Sequence, residues 1–154
     1  MAGLKEELVK AEVVGIHTVC FIYYFEGGKW ADALKENLFA PLEGGEFRAV
    51  VSTLLTTELL VRPKSLGRED VCRKYIGLIY SFPNLEVVPF DLDIAVRCAE
   101  IRAKYRIRTP DAVHLATAAE KGARVFVTND AGLPPQVDNV KTVVLKDYLY
   151  DQIS

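Results

Sequence analysis

The feature that most constrains the fold is an alternation of short β-branched runs with longer stretches of helical periodicity. Five runs are typical of strands, at residues 12–16, 47–51, 85–88, 123–128 and 141–145. Helical patterns lie between them, at residues 18–25, 29–39, 53–62, 67–81, 91–104 and 110–121. Strands that are joined by helices form parallel sheets, because each crossover must cover one face of the sheet. The pattern predicts a three-layer α/β/α sandwich around a mostly parallel five-stranded sheet.

Residues that favour helix ends support these boundaries. Asp91 can cap the helix after the third strand, and Gly122 stands where a glycine commonly ends a helix. In the segment "RTPD", Thr109 can act as N-cap and Pro110 suits the first helical position. Asp111 then falls in the first turn, where its carboxylate meets the positive end of the helix dipole.

Length and composition favour one globular domain over residues 1–154. Half of the residues are hydrophobic and 26% are charged, which excludes a disordered chain and a fibrous repeat. The formal net charge of −2 gives no overall attraction to nucleic acid. A nucleic-acid function would therefore depend on a local basic patch.

The cysteines and the N-terminal segment bear on the cellular compartment. Cys20, Cys72 and Cys98 are odd in number and lie in apolar segments without the paired spacing of zinc ligands. They predict reduced, buried thiols. The N-terminal segment is charged throughout, and no run approaches the ~20 apolar residues of a membrane span. We expect a cytoplasmic protein that is neither secreted nor membrane-bound.

Acidic and histidine side chains follow the predicted strands at their carboxyl ends, where open α/β sheets bind ligands. His17 follows the first strand, Glu58 lies in the helix after the second, Asp111 begins a later helix and Asp130 follows the fourth strand. Clustered carboxylates repel one another unless a cation neutralises them. Because Mg²⁺ and Mn²⁺ prefer oxygen ligands, this edge predicts metal-assisted phosphodiester hydrolysis.

Each of these residues also has a purely structural interpretation. An aspartate at a helix start commonly serves as a cap, and a histidine can be a buried, hydrogen-bonded core residue. Glu58 stands in the stretch "STLLTTELLV", where burial of a lone carboxylate would be costly without a partner. His114 follows Asp111 by one helical turn and could share its face, but we expect it to pack or to lie on the helix surface rather than to bind metal.

Four segments along the chain together match the pattern of a known family. "GIHTVCFIYYFE" fits a first strand and helix, and "STLLTTELLVRP" fits a Ser/Thr-rich helix that carries an acid. "TPDAVHLATAAEKGA" fits an alanine-rich helix that begins Asp-Ala, and Thr-Asn-Asp follows the next strand. With these residues the chain resembles the PIN domain family, and within it the VapC-type toxin ribonucleases of prokaryotic toxin–antitoxin pairs. The resemblance spans nearly the whole chain, and its last two segments are the most specific.

This resemblance implies a three-layer α/β/α fold and an endoribonuclease that depends on Mg²⁺ or Mn²⁺. It also implies frequent homodimerisation and inhibition by a small antitoxin protein. By position, Glu58, Asp111 and Asp130 match three of the family's four catalytic, metal-binding acids. Thr18 and Asn129 match polar supporting positions.

His17 departs from the family pattern, because it occupies the position of the first aspartate. An imidazole removes one negative charge and one or two oxygen donors, which weakens a Mg²⁺ site while remaining compatible with Mn²⁺, Zn²⁺ or Ni²⁺. We therefore expect a nuclease that is weakened, inactive or altered in metal preference, with His17 a candidate ligand. An engineered and a natural replacement are both compatible with the sequence.

A basic run precedes the acidic helix and is a candidate RNA contact. It contains Arg97, Arg102, Lys104, Arg106 and Arg108 with a single glutamate among them. As a structural feature, the run is a solvated helix face. As a functional one, it is a rim that contacts the phosphates of an RNA substrate beside the acidic pocket.

Two other functions remain open at this stage. A PIN fold that binds without catalysing is favoured by His17. A receiver-like signalling domain is favoured by Asp91, Thr128 and Lys146, which follow the third, fourth and fifth strands, but the first strand lacks the acidic pair that would bind Mg²⁺. A nucleotide-binding sheet fits less well, because no glycine-rich phosphate loop follows any strand.

Overall fold

The structure is a computed structural model that describes residues 3–153. Over this range the strands are β1 Val13–Ile16, β2 Arg48–Ser52, β3 Leu85–Val88, β4 Val125–Thr128, β5 Gln136–Val137 and β6 Val140–Val144. The helices are α1 Leu4–Ala11, α2 Thr18–Glu26, α3 Ala31–Leu34, α4 Ala40–Glu43, α5 Leu54–Ser65, α6 Glu69–Ser81, α7 Leu92–Tyr105, α8 Thr109–Glu120 and α9 Leu145–Ile153. A π-helical turn, Lys35–Phe39, makes α3 and α4 continuous.

The described strands form one sheet in the order β3-β2-β1-β4-β6-β5. All neighbours are parallel except β5 and β6, which are antiparallel. The mostly parallel sheet is confirmed, but the predicted count of five strands is wrong by one. The additional strand β5 is a two-residue pairing after a turn, and a pairing that short carries no periodicity of its own.

Helices cover both faces of the sheet, because successive strand residues point to opposite sides. In β4, Val125 and Val127 pack into a core with α1, α2, α5, α6 and α9. Phe126 points the other way, into a second core with α7 and α8. Every residue of β4 is buried, as is typical of a central parallel strand. The three-layer α/β/α arrangement is confirmed.

The first helix is absent from the sequence-based prediction. Leu4, Leu8 and Ala11 of α1 are buried against the sheet, at spacings that place all three on one helix face. The charged residues between them lie on the other side of the helix. This amphipathic spacing is the signal that would have predicted α1.

The predicted residues at helix ends hold their places except at the start of α8. Asp91 caps α7 by accepting a hydrogen bond from the Ile94 N–H, and Gly122 follows α8 with φ of +79°, the left-handed region that favours glycine. Thr109 is not the N-cap of α8, because it is the first helical residue and Arg108 holds the cap position. The proline therefore stands one residue further inside, still within the first turn, where its missing N–H costs no helical hydrogen bond.

A close approach between α8 and β1 sets the position of the acidic helix. Gly15 lies in the middle of β1, and a Cβ there would lie 2.8 Å from the Ala118 Cβ and 3.0 Å from the Phe126 ring. The absence of a side chain thus lets α8 pack directly on the central strand. Asp111 is carried at the start of this helix, near the carboxyl end of β1.

The three cysteines are free and buried, as predicted. Burial raises the pKa of the Cys20 thiol, which contacts the Val127 carbonyl inside the core. Between residues 3 and 153, no helix is both long and apolar enough to cross a membrane.

Candidate active site

His17 and Asp111 meet at the carboxyl edge of the sheet. His17 is the N-cap residue of α2, and its backbone N–H continues the β1–β4 pairing by donating to the Val127 carbonyl at 2.8 Å. Its Nε2 lies 3.2 Å from Oδ1 of Asp111, in the first turn of α8. Both side chains are largely buried, with 13% and 10% exposed. The short turn after β1 therefore directs the imidazole onto the acidic helix.

The second ring nitrogen of His17 is held by Thr128 at the end of β4. The Thr128 hydroxyl lies 2.8 Å from Nδ1 and also accepts the Asp130 backbone N–H at 3.0 Å. The hydroxyl oxygen accepts the hydrogen bond from the Asp130 N–H, and the hydroxyl group can donate its own proton to Nδ1 at the same time. The network is then fully satisfied when Nε2 carries the hydrogen and donates to Asp111. His17 is fixed from both sides.

A second histidine–carboxylate pair lies beside the first. His114 Nε2 is 2.5 Å from Oε1 of Glu58, and the Thr18 hydroxyl donates to the same oxygen at 2.7 Å. His114 is buried, whereas about a third of Glu58 is exposed. The two imidazole rings are edge to face, with centroids 5.4 Å apart. Residues from α2, α5 and α8 thus converge on one group.

The two carboxylates are held in their charged forms. Burial raises the pKa of Glu58, but hydrogen bonds from His114 and Thr18 outweigh it, and the net pKa is lowered. The pKa of Asp111 is also lowered, first by the hydrogen bond from His17 and then by the charges of nearby basic groups. Both groups are therefore anionic at neutral pH.

Asp130 does not join these acids. It is exposed in the loop after β4, and its Oδ1 accepts the Gly132 N–H at 2.8 Å. Within residues 3–153, no three histidine, cysteine, aspartate or glutamate side chains lie in an arrangement that could hold a metal ion. Oxygens of Asp111 and Glu58 instead accept hydrogens from imidazoles. In this arrangement the donor set does not fit a divalent cation, and the ligand roles of His17, Glu58, Asp111 and Asp130 stay predictions.

The two predicted polar supports differ in their surroundings. Thr18 is buried and touches Glu58 directly, as described above. Asn129 lies between two helices, where its side-chain carbonyl accepts the Lys146 N–H at 3.2 Å and its amide donates to the Tyr23 hydroxyl at 3.4 Å. Thr18 therefore positions an acid, whereas Asn129 ties α2 and the start of α9 to the end of β4.

Most residues of the basic run make contacts away from the carboxylates of the candidate site. Arg97 pairs with Glu120 at 2.8 Å and with Asp138 at 3.2 Å, and Lys104 lies 3.6 Å from Asp138. Arg102 donates to the Ile107 carbonyl. These contacts hold α7 against α8 and the turn before β6.

The last two residues of the run, Arg106 and Arg108, differ from the others. Arg106 is exposed and follows the last residue of α7 in the left-handed backbone region. Arg108 is 83% exposed at its side chain and lies 3.7 Å from Oδ2 of Asp111. Of the five predicted RNA contacts, Arg108 is the one that reaches the acidic site. A guanidinium beside oriented carboxylates can bind a phosphate next to groups that accept protons.

His114 is the site residue whose role sequence reasoning missed. The expectation of a packing role is correct as to burial, because only 3% of the residue is exposed. The pattern did not reveal that its ring contacts Glu58. Its position three residues after Asp111 lets both share one face of α8, as the sequence indicates, but the sequence does not show that α5 brings Glu58 against that face.

Three solved structures with a similar fold are a toxin–antitoxin complex and two VapBC assemblies. A toxin–antitoxin complex from Klebsiella pneumoniae aligns with a TM-score of 0.61 and 22% identity, over 83% of this chain and 94% of that chain. VapBC2 from Rickettsia felis, bound to a promoter DNA fragment, aligns with a TM-score of 0.64 and 15% identity, over 86% and 98%. DNA-bound VapBC from Salmonella typhimurium aligns with a TM-score of 0.61 and 20% identity, over 86% and 97%. These likenesses show a shared fold.

Sequence comparison identifies the family directly. No curated protein matches the chain, but the PIN domain model matches residues 16–137, a range that includes the whole candidate site up to Asp130. This match excludes the receiver-like alternative, in which Asp91 would be the reactive acid; Asp91 is instead the cap of α7. PIN domains typically use divalent metal ions. The chain belongs to the PIN domain family.

Proposed function

We propose that this chain is the toxin subunit of a VapBC-type toxin–antitoxin pair, and that its site is an endoribonuclease site whose cleavage is weak or absent because of His17. Membership of the PIN domain family supports the reaction class. The fold shared with three toxin–antitoxin structures supports the biological setting. The proposed substrate class is single-stranded RNA. When an aspartate replaces His17, the activating ion is Mg²⁺ or Mn²⁺.

The observation that carries this proposal is the contact between His17 Nε2 and Asp111 Oδ1, at 3.2 Å. The family resemblance places a carboxylate where His17 stands. A carboxylate there would share a cation with Asp111, whereas the imidazole N–H occupies a lone pair of Asp111. His17 thus gives Asp111 a hydrogen-bond donor. It also replaces the second carboxylate whose charge would require a cation.

The chain's own residues supply the rest of a phosphodiesterase site. Arg108 holds a phosphate beside Asp111, and Thr18 orients Glu58 through their hydrogen bond. Both contacts to Glu58 are on Oε1. Its other oxygen is therefore available to accept a proton from an attacking water or hydroxyl group.

The decisive experiment is the substitution His17→Asp, assayed on single-stranded RNA with Mg²⁺ and with Mn²⁺. We expect cleavage to rise by an order of magnitude or more, because a second carboxylate then faces Asp111. Calorimetric titration with Mn²⁺ gives a readout besides activity, and we expect tighter binding by His17→Asp than by the unchanged protein.

The matched control is His17→Asn, which has nearly the same shape as His17→Asp but no negative charge. We expect it to leave cleavage and Mn²⁺ binding at the original level. Adding Asp111→Asn to His17→Asp should abolish the gained activity. If His17→Asp cleaves no RNA with either metal and causes no growth arrest on expression, a PIN fold that binds without catalysing replaces the proposal.

The proposed partners are a cognate antitoxin protein and a second copy of this chain. The similar structures, which are a toxin–antitoxin complex and two VapBC assemblies, support the antitoxin. The proposed place of action is the cytoplasm, which agrees with three free cysteines buried in the core. Light scattering of the purified chain tests the homodimer, and a monomer at all concentrations contradicts it.

A further inference from the structure

A mostly apolar groove lies beside the candidate site. It has a volume of about 470 Å³, within the range of roughly 300–1,000 Å³ that is typical of small-molecule sites. Its walls include Thr53, Leu54, Thr57, Phe90, Pro110 and Val113. These residues come from the carboxyl ends of β2 and β3 and from the facing helices α5 and α8. The groove therefore opens at the same edge of the sheet as the paired carboxylates.

The groove and the site share two helices. On α5, Thr57 of the groove is next to Glu58, and on α8, Pro110 is next to Asp111. Val113 is likewise next to His114. The groove is therefore lined by the same two helices that carry both carboxylates, and we infer that an RNA chain crossing the site can place one of its bases in the groove.

Phe90 is the feature that identifies the occupant. It lies two residues after β3, and about half of its surface is exposed. An exposed aromatic ring on an apolar wall offers a stacking surface, and stacking on aromatic rings is how proteins commonly hold unpaired bases. Threonines at the groove add small polar groups without adding charge.

Charge at one end of the groove agrees with a nucleotide. Arg108 precedes the groove's α8 segment, and its exposed guanidinium lies 3.7 Å from Asp111. A base in the groove would therefore have a cation nearby for the attached phosphate, on the side where the carboxylates stand. This cation is the feature that favours a nucleotide over an apolar peptide side chain.

We propose that this groove is a nucleobase subsite, in which one unpaired base of an RNA chain stacks on Phe90 while its phosphate contacts Arg108. The subsite rests on the proposed function, since it positions the same substrate. It assigns to Phe90 a binding role next to the reacting group rather than a role in the reaction.

The test is a titration of the isotopically labelled protein, followed by NMR, with uridine 5′-monophosphate, adenosine 5′-monophosphate and ribose 5-phosphate. We expect both nucleotides, but not ribose 5-phosphate, to shift the backbone signals of Phe90, Val113 and Thr57. Phe90→Ala should weaken nucleotide binding on the order of tenfold, which is the usual loss when a stacked base loses its ring. Leu92→Ala is the matched control, because Leu92 is a still more exposed apolar residue that does not line the groove.

Several outcomes overturn the subsite. Ribose 5-phosphate that shifts the same signals as strongly shows phosphate binding alone. Equal losses for Phe90→Ala and Leu92→Ala, with both variants folded by circular dichroism, remove the stacking role. A concentration-dependent dimer that Phe90→Ala abolishes, without any nucleotide effect, makes the groove an interface between copies.

The same measurements separate this proposal from the proposed function. If His17→Asp cleaves no RNA but the nucleotides still bind the groove, the function fails and the subsite stands. If His17→Asp cleaves RNA and adding Phe90→Ala changes neither its RNA affinity nor its rate, the subsite fails and the function stands.

Discussion

At the residue scale, the site consists of two hydrogen-bonded clusters, each built from one histidine, one carboxylate and one threonine. His17 joins Asp111 to Thr128, and His114 reaches the oxygen of Glu58 that Thr18 also contacts. Most of these groups are largely buried, so each polar atom depends on the presence of its partner. Removal of one hydroxyl should therefore disturb the positions of the other side chains in its cluster.

Thr128→Val tests this dependence with little change in shape. Thr128 is fully buried, and its hydroxyl serves both His17 Nδ1 and the Asp130 N–H. We expect a loss of about 1–3 kcal/mol in the free energy of unfolding, because the largely buried His17 ring and the Asp130 N–H both lose their partner. Urea denaturation measures the loss, and imidazole ¹⁵N signals should show that His17 has changed its tautomer or orientation.

Thr142→Val is the control for the same chemical change. Thr142 is also buried in a strand, but its hydroxyl has no hydrogen-bond partner. Its replacement should leave the free energy of unfolding unchanged or raise it, since no buried group loses a partner. Equal losses at both positions would show that the Thr128 network contributes nothing specific.

The residues of the site were predictable from the sequence to different degrees. His17, Glu58 and Asp111 follow from their positions after strands and in the neighbouring helices, and the structure places them together. Asp130 follows equally well by position, yet its carboxylate turns back to the Gly132 N–H. Which way an exposed loop side chain turns depends on local backbone hydrogen bonds, and these have no periodic signal.

At the element scale, the contact between α8 and β1 sets the depth of the acidic helix. Gly15→Ala should lower the free energy of unfolding by about 1–3 kcal/mol, because the added methyl group would overlap Ala118 and crowd Phe126. Thermal and urea denaturation measure this loss. Gly77→Ala is the matched control within α6, where a Cβ meets nothing within 4 Å. There the same change should stabilise by roughly 0.5–1 kcal/mol, and a loss of similar size at both sites would contradict the close-packing argument.

The attachment of α1 predicts a pH dependence. A hydrogen bond from Lys141 lowers the pKa of Glu7, and the Tyr148 hydroxyl adds to it against the opposing effect of burial. A carboxyl whose pKa is lowered on folding stabilises the protein above its unfolded pKa, and this stabilisation is lost as the pH falls through the folded pKa. Glu7→Gln should therefore cost about 0.5–1 kcal/mol at pH 7, the size of a partly exposed ion pair.

Urea denaturation of Glu7→Gln and of the unchanged protein, repeated from pH 7 down through the acid range, checks the sign. The difference between the two proteins should shrink as the pH falls. Glu6→Gln is the control on the same helix, because Glu6 is exposed. A difference that stays constant with pH, or an equal effect of Glu6→Gln, would contradict the role of Glu7.

The regular elements were predictable where they carry a period, and less so elsewhere. The strand at residues 85–88 was predicted with its observed bounds, and the crossover helices were located to within a few residues. The helix at 53–62 continues to Ser65 through Pro63, since a proline in the last turn removes only one helical hydrogen bond. The segment at 40–43 is helical despite Pro41, which closely follows the π-helical turn Lys35–Phe39, where the regular α-helical hydrogen-bond pattern is already interrupted.

At the scale of the whole molecule, both cores are built on the same strands. Val50 and Phe126 point into one core while their neighbours Val51 and Val127 point into the other. The same strands form one wall of each core. Loss of the helices on one face would therefore expose these strands and weaken the packing of the other core. The single domain over residues 1–154 stays a prediction, and this shared sheet gives it a physical basis.

Unfolding should therefore be one cooperative transition. Trp30 is buried in the first core and reports on it by fluorescence, while methyl signals of Ile94 and Ile101 report on the second by NMR. We expect both probes to give the same denaturation midpoint and the same slope. Different midpoints would show that the two faces unfold separately and would contradict the single-domain prediction.

The parallel pairing of β1 and β4 also has a consequence for how the protein is made. His17 and Thr128 touch although they are 111 residues apart along the chain, and β4 borders β1 on the side opposite β2. Until β4 has been synthesised, β1 has a bare edge and His17 lacks one of its two supports. Asp111 consequently acquires a fully supported His17 partner only after β4 has been made. We expect a nascent chain that stops before β4 to lack this paired site.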